Sequence, residues 1–281
     1  MHGPVKGLFF AIYYPTLAAI GVPANLLGIV ILARGRCALS RCITYYLLAI
    51  AVADFLVIIT AVTLNRIGGI YFRLSVLSTT PACKLSAMLV FATWDVSVWL
   101  TVAFTFDRFV AICCHGLKTR YCTKETALLV IGLAYDWLDH ILTPFLPFLL
   151  ILLLNALTVR HILAASRTRR KLRGAESHGD QEMINRKRSI VLLFAISLSF
   201  LLLWVTYVGH FFYVRITGDA YFTGLDFNDP DYILQETTNM LHLLSSCNNV
   251  FIYAVAQNKF REELRKVMIY PFATLTSCFK R

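Results

Sequence analysis

The chain has 281 residues, 58% hydrophobic and 15% charged, with a mean hydropathy of +0.65 and a formal net charge of +11. A soluble domain is nearer half apolar and a quarter charged, so this balance excludes an ordinary soluble enzyme or binding module. The expected fold class is all-α, a polytopic membrane helix bundle: a bilayer core about 30 Å thick takes roughly 20 helical residues to cross.

The first span is predicted over 9–33. It is too long for the apolar part of a signal peptide, and Arg34 and Arg36 follow it instead of preceding it, so no separate cleavable signal is expected. The second is predicted over 45–64. The third, 83–113, carries Asp107-Arg108-Phe109 near its end. Such a charged pair beside an apolar run either marks where hydrocarbon stops or does a job there. Further spans are predicted over 138–159, 190–214 and 232–256. A short amphipathic helix, 258–269, follows with Phe260, Leu264, Val267 and Met268 among charges, a pattern suited to the membrane surface.

Between Lys124 and the 138–159 span only the octet 126–133 is continuously apolar. As a helix it rises about 12 Å, far short of the hydrocarbon core. One crossing over 126–159 would bury Asp136 and Asp139 and put the basic segment 160–188 on the wrong side. The simplest account is that most of a fourth span and the loop after it are missing. A splice form, a gene-prediction error or an internal deletion would each give this pattern.

Lys and Arg placement sets the expected orientation. Arg34, Arg36, Arg41, Lys118, Arg120, Lys124, the cluster Arg167 to Arg173, and Lys259, Arg261, Arg265 and Lys266 fall on one side. The segment 215–231 is acidic instead, with Asp219, Asp226, Asp229 and Asp231. The N-terminus is therefore expected outside and the tail in the cytoplasm. The positive charge then reads as a topology signal plus attraction to anionic lipid; no nucleic-acid partner is expected.

Four polar residues lie where a lipid-facing polar group would be costly: Asn25, Asp54, Ser97 and Asn249. Each alone is ordinarily a satisfied polar group at a helix interface. Their company is more specific. Gly21-Val22-Pro23-Ala24-Asn25, Ala51-Val52-Ala53-Asp54, Cys83, Asp107-Arg108-Phe109, Phe200-Leu201-Leu202-Leu203-Trp204 and Asn249-Val250-Phe251-Ile252-Tyr253 occur in order and in the right spans. Together they resemble the rhodopsin-type (class A) G-protein-coupled receptors, of seven-transmembrane type. Within that family the stretches DWLDHILTPFLPF, LNALTVRHIL and NNVFIYAVAQNKFR most resemble the probable G-protein coupled receptor 139 group, whose relatives respond to aromatic amino acids.

The resemblance implies a plasma-membrane receptor passing an extracellular small-ligand or peptide signal to a heterotrimeric G protein, and no enzyme. Arg108 would be the switch, held by Asp107 at rest, with Tyr253 swinging toward Arg108 and Asn155 on activation. Asp54, Asn25, Ser97, Ser245 and Asn249 would form a polar network able to hold an allosteric sodium ion, the only cofactor implied. Phe200 and Trp204 would be the packing toggle. Ligand-pocket candidates are Val90, Trp94, Tyr207, His210, Phe211, His242 and Leu243, apolar and aromatic walls with a few polar groups. His210 and His242 could titrate near neutrality, but a hydrogen-bonded interior histidine is the more ordinary reading. Nearest relatives carry a glutamate where Val90 stands, so capture of an amino-acid ammonium is in doubt.

Departures bear on activity. Phe109 replaces a tyrosine, Asn155 another, and Thr206 and Val250 replace the prolines that kink the sixth and seventh helices. Arg186 stands where many relatives place a glutamate facing Arg108, which would raise basal activity. Cys83 is the family's outer disulfide cysteine, here lacking its partner loop. Cys37, Cys42, Cys113, Cys114 and Cys122 are expected reduced on the cytoplasmic side. Cys278 is a palmitoylation candidate, equally read as a free thiol. Two other readings stay open: a shortened receptor that does not signal, and a multi-pass transporter, although no internal repeat supports the latter.

Overall fold

In the computed structural model the described residues are 8–37, 39–72, 79–113, 145–171, 180–217 and 229–278. The octet 126–133, Cys114 and Cys122 lie outside them. Eight α-helices are named here: α1 (Leu8–Ala33), α2 (Arg41–Val57), α3 (Gly68–Tyr71), α4 (Thr80–Cys113), α5 (Phe145–Lys171), α6 (Asp180–Thr217), α7 (Pro230–Ala256) and α8 (Asn258–Cys278). A π-helical stretch, π1 (Ile58–Ile67), joins α2 to α3. No strand occurs among the described residues.

Among the described residues five helical stretches are long and apolar enough to cross a membrane: Ala11–Ala33, Arg41–Tyr71, Thr80–Cys113, Phe145–Ala165 and Lys187–Val214. Their outward faces carry large apolar side chains, among them Ile12, Leu26, Leu202 and Val205, as lipid contact requires. Helix α7 is more polar and is not one of the five. It lies instead against α6, α1 and α2.

Local chemistry explains the helix ends. Ser40 accepts a hydrogen bond from the Ile43 amide at 3.4 Å and starts α2. Asp229 accepts from the Asp231 amide at 3.0 Å ahead of Pro230, whose fixed φ suits the first helical position. Helices α6 and α7 run as single α-helices through Thr206 and Val250, where no proline interrupts them. Helix α8 runs past 269, where its charge pattern lapses, to Cys278.

The core has three parts. At the Arg108 end, Leu47, Ile50, Phe104, Leu192, Ile196, Tyr253 and Phe260 pack together, drawing α2, α4, α6, α7 and α8 into one cluster. At the Tyr14 end, Tyr14, Leu17, Ile58, Val62, Val90, Met240 and Leu243 form a second. Between α4, α5 and α6 lie Val98, Val102, Ile151, Phe200 and Trp204. Phe260 is fully buried and anchors α8, while Lys259–Glu262 and Lys266–Glu263 ion pairs line its polar face. The Lys266 ammonium holds the Glu263 carboxyl below its usual range.

Candidate functional site

Arg108 lies in the next-to-last turn of α4 and is buried. Its Nε donates to Asp107 Oδ2 at 2.9 Å, Nη2 bonds the same oxygen, and Nη1 donates to Ser189 Oγ on α6 at 3.2 Å. The guanidinium thus bridges α4 and α6 while its charge is matched by the adjacent carboxylate. Arg186 is on the same helix one turn earlier, and its side chain lies outside the described residues. Ser189 is the α6 contact that patterning did not single out; a hydroxyl one turn along the same face was its only signal.

Tyr253 does not reach Arg108. It is fully buried, its ring edge-on to Phe260 at 6.0 Å, and its hydroxyl has no partner among the described residues. Asn155 Oδ1 accepts from Ser197 Oγ at 3.1 Å, tying α5 to α6. Cys42 lies beside this pair, its sulfur 3.4 Å from Asp107 Oδ1. It is disulfide-bonded, a correction to the reduced thiol expected there. Cys37 and Cys113 are not disulfide-bonded. Burial pushes the Cys37 thiol up, which leaves it protonated and inert. Cys83 is free and exposed. Cys278 closes α8, and its side chain lies outside the described residues.

Midway along the bundle Asp54 is buried on α2. Ser97 Oγ donates to its Oδ1 at 2.7 Å and Asn249 Nδ2 to its Oδ2 at 2.7 Å, so α2, α4 and α7 meet on one carboxylate. Ser246 lines the void beside this carboxylate. Ser245 lines the same void, but its hydroxyl donates to the His242 carbonyl at 2.7 Å and accepts from Trp204 Nε1 at 3.2 Å. Asn25 Nδ2 donates to the Gly21 and Ser246 carbonyls, both at 3.0 Å, and so ties α1 to α7.

Above Asp54 is a void of about 10 Å³, lined also by Trp94, Ser97, Trp204, His242 and Asn249. That volume admits one water or one small ion and no organic ligand. Its roof is aromatic. Phe200 stacks on Trp204 at 4.8 Å, and the His242 ring lies 4.0 Å from Trp204, 4.4 Å from Trp94 and 5.0 Å from Tyr207. The Trp94 Nε1 and His242 Nδ1 atoms are buried with no partner among the described residues. Of the other pocket candidates, Val90 and Leu243 are buried in the Tyr14-end core. His210 is buried, and Phe211 is half-buried against Phe212.

Patterning missed a second polar cluster. Arg66 in π1 and Glu236 in α7 form an ion pair at 3.0 Å, and the Tyr14 hydroxyl donates to Glu236 Oε2 at 3.0 Å. Ionisable residues inside or beside an apolar span were the available signal. Among the described residues no group of three or more His, Cys, Asp or Glu is arranged to hold a metal.

Comparison with known proteins bears on all of this. Residues 24–138 match the family model of the 7 transmembrane receptor (rhodopsin family). The chain is 25% identical to the mouse (Mus musculus) protein "Probable G-protein coupled receptor 142" over 297 residues, covering 94% of this chain and 74% of that one. It is 27% identical to "Rhodopsin, G0-coupled" of Mizuhopecten yessoensis over 125 residues, 44% of this chain and 30% of that one.

Proposed function

We propose that the chain is a class A G-protein-coupled receptor that carries an extracellular small-ligand or peptide signal across the plasma membrane to a heterotrimeric G protein. The observation that carries the reading is the clasp on Arg108. A buried arginine at the end of the bundle is paired with its neighbouring Asp107 and, among the described residues, meets α6 through the neutral hydroxyl of Ser189. A single hydrogen bond from the guanidinium to a neutral hydroxyl is weaker than an ion pair with a carboxylate would be, so α6 can leave α4 at low cost and open the surface a G protein would enter. Support also comes from the family match and from the Asp54 network beneath the Trp204 toggle. The finer placement beside the probable G-protein coupled receptor 139 group rests on the three sequence stretches alone; the relative aligned over most of the chain is a probable G-protein coupled receptor 142. In a cell assay, Arg108→Ala should reach the surface at parent levels and lower G-protein activation at least tenfold. Unchanged activation would sink the reading.

The shortened fourth span favours a second reading, a receptor form that does not signal. Surface staining and G-protein activation of this chain, beside a form carrying one more span and loop after Leu133, separate the two. Equal signalling by both forms refutes the second.

The Asp54 void fits a sodium ion. Its donors are hard oxygens, a carboxylate and the hydroxyls of Ser97 and Ser246, and its volume suits one small ion. Replacing sodium with choline at constant ionic strength should lower the thermal unfolding midpoint of the purified protein, and Asp54→Asn should abolish that difference. A sodium effect that survives in Asp54→Asn would place the ion elsewhere.

A further inference from the structure

Of the groups that Arg108 meets among the described residues, Ser189 is the one that can gain a charge. Its hydroxyl accepts from Arg108 Nη1 at 3.2 Å, while Asp107 holds Nε and Nη2. Ser189 is only half-buried, and Lys187 beside it is exposed. The serine closes the run Arg186-Lys187-Arg188-Ser189. An arginine three residues ahead of a serine, with further cations between, is what the acidic substrate groove of a basophilic protein kinase selects by carboxylate–guanidinium pairing. The run falls within about the first three turns of α6, and helix ends are the parts that unwind most readily. Charge balance also favours an anion here. Arg108 bonds Ser189, and Arg186, Lys187 and Arg188 stand within three positions of it, whereas the carboxylate on the cluster is that of Asp107.

We propose that Ser189 is a phosphorylation site whose phosphate locks α6 onto α4 through Arg108. The kinase acts when α6 has left α4, since only then is Ser189 Oγ released from the guanidinium. The γ-phosphoryl group of ATP passes to Oγ. An O–P bond forms, the bridging O–P bond of ATP breaks with its electron pair leaving on ADP, and the hydroxyl proton goes to the kinase's base. When the bundle closes again, the phosphate brings up to two negative charges and three acceptor oxygens to Arg108. The neutral hydrogen bond becomes a charge-assisted one, about twice as strong. The phosphate grows from the oxygen that already meets Nη1, so α6 need not turn to present it. Asp107 does not exclude it, because that carboxylate binds through Nε and Nη2 and leaves Nη1 to the phosphate. Arg186, three residues earlier on the same helix, adds a second cation at the spacing of neighbouring side chains. Opening thus exposes the serine, and its modification holds the bundle shut.

The inference rests on the receptor reading for its consequence and not for the contact, and the test separates the two. The full chain in maltoside micelles, which contain no phosphorus, is treated with ATP and the catalytic subunit of cAMP-dependent protein kinase, a basophilic kinase. Mass spectrometry of chymotryptic fragments should place phosphate on Ser189, at a rate that Arg186→Ala lowers sharply. Phosphorus NMR then reads the second ionisation of the phosphoserine, with Ser189→Ala identifying its signal. In the released phosphopeptide, which keeps the Arg-Lys-Arg run and loses Arg108, the midpoint should lie near the ordinary value of about 6. In the intact chain it should lie about one pH unit lower, because a guanidinium at contact distance favours the dianion. That comparison needs no variant. Arg108→Gln should bring the intact chain back to the peptide value. No phosphate on Ser189, equal midpoints in chain and peptide, or a midpoint unmoved by Arg108→Gln would overturn the proposal. In a nucleotide-exchange assay the phosphorylated chain should activate G protein about tenfold less than the same chain after phosphatase treatment, the factor expected on trading a neutral for a charged hydrogen bond. Ser189→Ala should abolish that ratio. Equal activation before and after phosphatase would overturn the lock. No activation in either state would count against the receptor reading, and the titration would still decide the contact.

Discussion

Glu236→Leu is expected to destabilise the bundle by about 3–5 kcal/mol, the usual cost of removing one partner from a buried ion pair. The carboxylate joins three elements: Arg66 of π1, Tyr14 of α1 and Asn239 of α7 itself. Without it Arg66 is left as an uncompensated charge among apolar neighbours, and the Tyr14 hydroxyl and Asn239 amide lose their acceptor. Thermal unfolding in nanodiscs should show a lower midpoint and a smaller folded fraction on recovery. The double variant Arg66→Met, Glu236→Leu removes both charges and should regain most of the loss, because a buried pair replaced by apolar side chains is often neutral. If the double variant is as unstable as the single, the pair is not what holds these helices.

This pair also shows what the sequence could and could not disclose. The all-α membrane class was legible because spans are written in runs of apolar residues whose length is set by the bilayer. The end of the second span was not. Apolar patterning stops near Leu64, before Asn65 and Arg66, yet helix continues to Tyr71. The reason is that the Arg66 charge is matched by Glu236, 170 residues away in sequence. No local pattern carries that information. Helix α7 shows the converse. Its span was legible over 232–256 although it is more polar than the five others, and it is accommodated because its polar residues meet partners inside the bundle: Glu236 meets Arg66, Asn248 meets Ser199, and Asn249 meets Asp54.

Within the site, residue types were legible and rotations were not. Asp54, Ser97 and Asn249 converge because each is the strongest polar group on its helix at that depth. Ser245 and Ser246 are chemically identical neighbours about 100° apart around α7. How each meets the void beside Asp54 depends on how α7 is turned by its packing on α1 and α6, a tertiary quantity. Tyr253 likewise appears by motif as a partner of Arg108, whereas in this conformation its ring belongs to the core beside Phe260.

The packing of α1 gives the sharpest graded expectation. At Gly21 an added Cβ would stand 2.4 Å from Cys247 Sγ and 2.4 Å from Ile58 Cδ1; at Gly28 it would stand 3.0 Å from Val250 Cγ2; at Gly209 it would meet nothing within 4 Å. The two α1 glycines are seven residues apart, two turns along one face, and allow the close approach to α7 that drives association where lipid offers no hydrophobic force. Gly21→Ala should therefore cost about 1–3 kcal/mol as overpacking, with a matching loss of surface-expressed protein. Gly28→Ala should cost less, since a shift of a few tenths of an ångström in Val250 relieves it. Gly209→Ala should be neutral or slightly stabilising, alanine being the better helix former. Cys247→Ala added to Gly21→Ala removes one of the two clashing atoms and should restore part of the loss. The ordering Gly21, Gly28, Gly209, read from unfolding midpoints in one lipid, is the test. Equal midpoints for all three would mean that α1 is not seated against α7 at this distance.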